Sequence, residues 1–126
     1  MFEPKTSFSG YSVTDLTAAR DFYADTLGLH VVAEGAGLWL HLPGGGRVLL
    51  YPKPDHVPAT FTVLNLQVDD IDQAVDELAN RGVQFERYEA IPADDKGIVR
   101  AGGPLIAWFK DPAGNILAVL QEAHGA

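Results

Sequence analysis

The chain has 126 residues, 47% of them apolar, which bounds it to one compact domain or two small modules sharing one core. Nine basic against 17 acidic residues give a net charge of −8, which disfavours nucleic acid as a partner, because that binding rests on Lys and Arg neutralising phosphates. The absence of cysteine excludes disulfides, thiolate metal sites and a cysteine nucleophile. No apolar run approaches the ~20 residues of a membrane helix. Met1-Phe2-Glu3-Pro4-Lys5 lacks the charged and apolar regions of a signal peptide, so no membrane partner and a cytoplasmic location are expected.

Residues 8 to 13 read as a first strand. Thr14 and Asp15 are N-cap candidates for a helix whose stripe is Leu16, Ala19, Phe22, Tyr23 and Leu27, with Gly28 as its stop. Strands follow at Leu29 to Ala33, Leu38 to Leu42 and Arg47 to Tyr51, with Gly44-Gly45-Gly46 as the turn between the last two. No helix follows that glycine run, so it lacks the free N–H groups of a phosphate cradle. Pro52 to Pro58 carries three further breaks in regular structure and reads as the linker.

The pattern then restarts. Phe61 to Val68 reads as a strand. Asp70 caps a helix, with Gln73 at the capping-box spacing, Ile71, Val75 and Leu78 on one face, Arg81 in the last turn and Gly82 as the stop. Val83 to Tyr88 reads as another strand, and residues 89 to 103 as a long loop rich in charge and glycine. Two apolar runs, Pro104 to Phe109 and Asn115 to Leu120, flank Asp111-Pro112-Ala113-Gly114, a tight turn in which Pro112 presets φ and Gly114 supplies a positive φ. The chain is thus a strand, a helix and three strands, repeated: module one spans about residues 7–52, the linker 52–60 and module two 61–121. Val13-Thr14-Asp15-Leu16 aligns with Val68-Asp69-Asp70-Ile71.

Asp-Pro-x-Gly-Asn followed by an apolar strand resembles the closing hairpin of the vicinal oxygen chelate superfamily, which contains glyoxalase I, extradiol dioxygenases and bleomycin-resistance proteins. Asp21 to Leu29, Asp-Phe-Tyr-x-Asp-x-Leu-Gly-Leu, resembles its first helix. The resemblance covers residues 8 to 121. It implies an α+β fold of two βαβββ modules forming a cup-shaped mixed sheet with helices on the outer face. It also implies a homodimer, with the modules paired either within a chain or swapped between chains.

The resemblance places metal ligands on the first and last strand of each module, at Phe8, Leu50, Val63 and Ala118. All four are hydrocarbons, whereas a divalent ion needs carboxylate, imidazole or carbonyl oxygen. No metal and no cofactor are therefore expected. Alternation along the strands puts Phe8, Gly10 and Ser12, and Val63, Asn65 and Gln67, on the cup face with Ile116, Ala118 and Leu120. Leu64, Leu66, Tyr11 and Val13 then face the helices. That lining, apolar with a few amides and a hydroxyl, has the composition of a small-molecule site. Trp39, Tyr51, Tyr88, Trp108 and Phe109 are candidates to stack a planar ligand or to fill the core; the sequence leaves open whether Trp108 or Phe109 points into the cup. Among the histidines, His30, His41, His56 and His124, His41 shares the parity of Trp39 and is the candidate acid or base. Lys96 and Arg100 in the long loop are candidates to hold an anionic ligand under a lid.

The expected ligand residues are Phe8, Ser12, Trp39, His41, Leu50, Val63, Asn65, Gln67, Arg100, Trp108 and Ala118. The resemblance and the missing ligands together imply a metal-independent protein that binds a small organic molecule, on the pattern of bleomycin-resistance proteins. The alternatives are a metal-dependent lyase, isomerase or dioxygenase with displaced ligands, and a regulatory subunit whose cup is filled by its own side chains.

Overall fold

The computed structural model describes residues 1–122; His124 lies outside the described residues. The chain divides into two compact units, Met1–Pro58 and Ala59–Ala126. No helix among the described residues is long and apolar enough to cross a membrane.

In unit one, β1 (Ser9–Val13) leads into α1 (Leu16–Arg20), which widens into a π-helical turn over Asp21–Thr26. Asp15 starts the helix by accepting hydrogen bonds from the Thr17 and Ala18 N–H groups. The wider turn is closed by Leu27 N–H to the Phe22 carbonyl, five residues back. Gly28, at φ 73°, ends it. Then come β2 (His30–Glu34), β3 (Gly37–His41) and β4 (Arg47–Pro52). The sheet order is β1-β4-β3-β2, with β1 and β4 parallel and the other pairs antiparallel. The core is Val13, Leu38, Leu40, Val48 and Leu50 against Ala19 and Tyr23, all buried. The Tyr11 hydroxyl shares a 2.8 Å hydrogen bond with that of Tyr23, which fixes Tyr11 on the helix side.

Unit two holds β5 (Thr62–Gln67), α2 (Ile71–Asn80), β6 (Leu105–Lys110) and β7 (Ile116–Gln121), in sheet order β5-β7-β6 with β5 and β7 parallel. The Asp70 side chain accepts from Gln73 N–H, and Ile71, Val75 and Leu78 are the buried face of α2. The mixed α+β class expected from the sequence is what the chain adopts, with one element changed. Val83 to Tyr88 is not a strand. Phe85 bridges only to Phe109, with Glu86 N–H on the Trp108 carbonyl, and Val99 bridges to Ile106 on the same edge of β6. Two segments share one sheet edge, so neither extends into a ladder.

The long loop is no free lid. Ile98 and Val99 are buried, and Asp94, Lys96 and Arg100 are tied to α2 and to each other. Arg100 donates to Asp72 at 2.7 Å and to Asp94 at 2.8 Å; Lys96 lies 3.1 Å from Asp76. This corrects the expectation for Arg100 and Lys96. Both cations are engaged by carboxylates on α2 and in the loop rather than set under a free lid.

At the hairpin tip, Asp111 is 5% exposed and Asn115 2%. One Asp111 carboxylate oxygen accepts from the Ala113 and Asn115 N–H groups, and the other from Asn115 Nδ2 at 3.0 Å. Gly114 takes φ 82° and donates its N–H to the Asp111 carbonyl.

Two outcomes are expected. Asp111→Ala strands buried donors and should cost about 3 kcal/mol in urea unfolding, against less than ~1 kcal/mol for Pro112→Ala. Burial alone would raise the Asp94 carboxyl, but hydrogen bonds from Arg100 and from the Ile98 and Lys96 N–H groups, with the Arg100 charge, outweigh it and hold it below the ordinary range. A depressed folded-state value adds stability that is complete above the unfolded value of ~3.9 and is lost as pH falls through the folded one. The stability gap between the native chain and Asp94→Asn should therefore shrink as pH drops below about 4, measured as urea midpoints across a pH series.

Candidate functional site

In unit two the clamp at Asp111 sets β6 against β7 so that Trp108 stands opposite Ala118 and Phe109 opposite Leu117. Asn65 pairs with Ala118 from the other side, and Gln67 with Leu120. Trp108, Ala118, Asn65, Gln67, Ile116 and Leu120 therefore share the face away from α2, while Phe109, fully buried, belongs to the helix side. Asn65 and Gln67 are exposed, and their side chains have no hydrogen bond among the described residues. Ala118 is fully buried and offers only a methyl group.

Val63 departs from the expected alternation. The β5–β7 register shifts between Thr62 and Leu64, so Val63 is the extra residue of a β-bulge. Thr62 takes the ladder place beside Ile116, and its hydroxyl accepts the Trp108 indole N–H at 3.1 Å.

A cavity of about 250 Å³ opens here, lined by Thr60, Phe61, Thr62, Tyr88, Ile91, Trp108 and Ile116. A cavity of roughly 150 Å³ already takes benzene, so this one has room for a bicyclic ring. Tyr88 meets Trp108 edge to face at 5.6 Å between centroids. Its hydroxyl oxygen is buried and has no hydrogen-bond partner among the described residues. Burial, with Glu86 nearby and against the opposing pull of Lys110, raises the phenol pKa. Tyr88 therefore stays protonated at neutral pH and is a hydrogen-bond donor. The sequence named Tyr88 only as one aromatic among several; the failure of its segment to form a strand is what brings it over Trp108.

In unit one the face away from α1 is set by cross-strand register. His30 pairs with His41, and His41 with Arg47, in one row; Val32, Trp39, Leu49 and Gly10 form the next. Phe8 packs edge to face on Trp39 at 4.8 Å, and the Arg47 guanidinium lies 4.4 Å from the Trp39 ring centroid and 5.6 Å from that of Phe8. Ser12 shares a 2.6 Å hydrogen bond with His56 Nδ1 from the proline-rich segment. Phe8, Ser12, Trp39 and His41 thus share this face, as alternation predicts. Leu50 does not. It pairs with Leu38 and Tyr11 on the helix side and is fully buried, so the residue of β4 beside Trp39 is Leu49. The cup-face position that the resemblance assigns to Leu50 thus falls one residue earlier, at Leu49, and a shift of one residue exchanges the two faces.

The corrected set at the positions that resemble metal ligands is Phe8, Leu49, Thr62 and Ala118. It contains one donor atom, a hydroxyl already engaged by Trp108. No group of three or more His, Asp or Glu residues converges to hold a metal ion among the described residues. This donor set does not fit a divalent ion.

A family model described as the Glyoxalase/Bleomycin resistance protein/Dioxygenase superfamily matches residues 8–119. Among solved structures, the antibiotic-binding protein TnmS3 from Streptomyces sp. CB03234 is 25% identical with a TM-score of 0.68, over 97% of this chain and 100% of that one. A member of the glyoxalase/bleomycin resistance protein/dioxygenase superfamily from Sphaerobacter thermophilus DSM 20745 is 26% identical with a TM-score of 0.68, over 93% and 98%. A lactoylglutathione lyase from Agrobacterium tumefaciens shares the fold at 20% identity and a TM-score of 0.65, over 94% of each chain. No curated protein sequence matches.

Proposed function

The chain belongs to the glyoxalase/bleomycin resistance protein/dioxygenase superfamily, and on that premise we propose that it is a metal-independent binding protein for a small planar organic molecule. The ligand sits in the unit-two cavity against Trp108 and takes a hydrogen bond from Tyr88. The observation that carries this reading is that Tyr88 lines an aromatic cavity while its hydroxyl oxygen is buried without a hydrogen-bond partner among the described residues. An unsatisfied buried hydroxyl costs ~1–3 kcal/mol, and a ligand acceptor removes that cost on binding. The likeness to an antibiotic-binding protein supports sequestration as the role. A donor set of hydrocarbons and one hydroxyl supports binding without metal chemistry over the lyase, isomerase or dioxygenase alternative.

The same reading makes the protein a cytoplasmic homodimer. Exposed apolar side chains support the dimer: Phe61 is 68% exposed and Val57 80%. Light scattering at micromolar concentration is expected to give twice the chain mass; a monomer sinks the dimer.

A thermal-shift panel of one- and two-ring aromatic compounds bearing a carbonyl acceptor tests the cavity. A compound at 100 times its dissociation constant adds about 2.7 kcal/mol of stability. Tyr88→Phe should raise the stability of the free protein by about 1 kcal/mol and weaken the hit compound about tenfold. Trp108→Ala should abolish its binding. Unchanged stability and unchanged affinity in Tyr88→Phe would show that the hydroxyl is satisfied elsewhere and sink the assignment.

A further inference from the structure

Tyr88 lies in a stretch of chain that the sheet holds at its two ends. Phe85 bridges to Phe109 and Val99 to Ile106, at separate places on the outer edge of β6. Glu86 N–H reaches the Trp108 carbonyl at 2.7 Å, and Val99 and Ile106 exchange a pair of hydrogen bonds. Between these anchors, residues 87 to 98 make no bridge to β6 among the described residues. Tyr88 and Ile91 line the cavity from inside this stretch, joined by the Ile91 N–H on the Tyr88 carbonyl at 2.9 Å. A wall with so little ladder behind it opens readily unless other contacts hold it.

Charged groups hold it on both sides. Before Tyr88, Glu86 lies 3.5 Å from Lys110 of β6. After Ile91, Arg100 donates to Asp72 of α2 at 2.7 Å and to Asp94 at 2.8 Å, and Lys96 sits 3.1 Å from Asp76 and 3.5 Å from Asp72. The other Asp94 oxygen accepts from the Lys96 and Ile98 N–H groups. Arg87, next to Tyr88, donates to the Asp95 carbonyl at 2.7 Å. The cavity wall is thus tied through Arg87 to the same turn that Lys96 and Arg100 fasten to α2. Two cations share three carboxylates here, so losing one cation loosens several links together, unlike the loss of an isolated surface pair. The five side chains are between 31% and 59% exposed, which leaves the network open to screening by salt.

We propose that this network is an ionic strap that holds Tyr88 and Ile91 in the cavity wall, so that ionic strength sets how closed the wall is. With the strap fastened, Tyr88 stays against Trp108. With it screened or cut, residues 87 to 98 swing away from the cavity while the β5-β7-β6 sheet stays intact. What the strap does to binding rests on the cavity reading above; what it does to the wall does not.

The test is amide hydrogen exchange by NMR on the full chain without ligand. Ile91 N–H reports the wall, and Val68 N–H, bonded to the Leu120 carbonyl at 2.8 Å, reports the sheet. Arg100→Gln and Asp72→Asn should each speed Ile91 exchange about fivefold or more and leave Val68 unchanged. The native chain should show the same loss between about 0.02 M and about 1 M sodium chloride, and salt should act less on Arg100→Gln. Arg20→Gln, which breaks an exposed ion pair in unit one, should change neither amide. Calorimetry with 2-acetonaphthone, a neutral two-ring ketone whose own contacts salt does not screen, should show binding about threefold weaker in Arg100→Gln and in high salt. The native chain in salt decides the matter if a variant does not fold. The strap is overturned if Ile91 protection survives Arg100→Gln or high salt, which would mean that buried Ile98 and Val99 hold the loop alone. It is equally overturned if Ile91 and Val68 lose protection by the same factor, or if 2-acetonaphthone binds Arg100→Gln as tightly as the native chain. Failure of 2-acetonaphthone to bind the native chain overturns the cavity reading only, and exchange then decides the strap.

Discussion

The buried carboxylate of Asp111 decides which side chains of unit two face the cavity. Its two oxygens hold the Ala113 and Asn115 N–H groups and the Asn115 side chain, so the turn closes with Asp111 paired to Asn115 and no residue to spare. From that point the ladder counts outward: Lys110 to Ile116, Phe109 to Leu117, Trp108 to Ala118. A slip of one residue would exchange Trp108 for Phe109, putting an indole into the core and a phenyl ring into the cavity. Thr62 reinforces the choice, since its hydroxyl meets the Trp108 N–H only in this register. A hydrogen-bonded turn remote from the cavity thereby sets the cavity's chemistry.

What could be read in advance follows the range of the interactions concerned. The turn at Asp111, the cap at Asp70 and the glycine stops at Gly28 and Gly82 are satisfied within a few residues, and each was legible. Strand parity was legible where nothing interrupts the alternation, as for Asn65, Gln67, Trp39 and His41. It failed at Val63, where a bulge inserts a residue, and at Leu50, where an apolar run on both faces hides the phase. Arg100 was misread for another reason. Its partners, Asp72 and Asp94, are on α2 and within its own loop, and the charge pattern becomes a closed network only once the loop lies on the helix. Tyr88 was missed as a distinct residue because its segment reads as a strand and only the competition for the edge of β6 releases it.

The two faces of each sheet are under different physical demands. On the helix sides, Leu38, Leu40, Leu50, Phe109 and Leu117 need only volume and apolarity, which burial rewards whatever the detail of contact. On the opposite sides the polar groups are few; some are paired, and Asn65 and Gln67 are exposed. Ser12 has His56 and Trp108 has Thr62, whereas the Tyr88 hydroxyl and the Arg47 guanidinium have no oxygen partner among the described residues. A protein optimised only for stability would replace the first by Phe and the second by a neutral residue, since neither change removes a protein hydrogen bond.

The residues at the positions that resemble metal ligands bear on how a ligand could be oriented. A divalent ion orients a ligand through directional bonds to an open coordination site. Phe8, Leu49 and Ala118 at the corresponding places supply no such bond, and aromatic faces alone hold a flat molecule without fixing its rotation in the plane. On the proposed reading, the Tyr88 phenol donor supplies a direction. It must be kept from water and from protein acceptors to do so, because a donor already satisfied gains nothing from a ligand. The cost in stability of an unpartnered donor is therefore the same quantity that binding recovers, which on that reading ties orientation of the ligand to the Tyr88 hydroxyl.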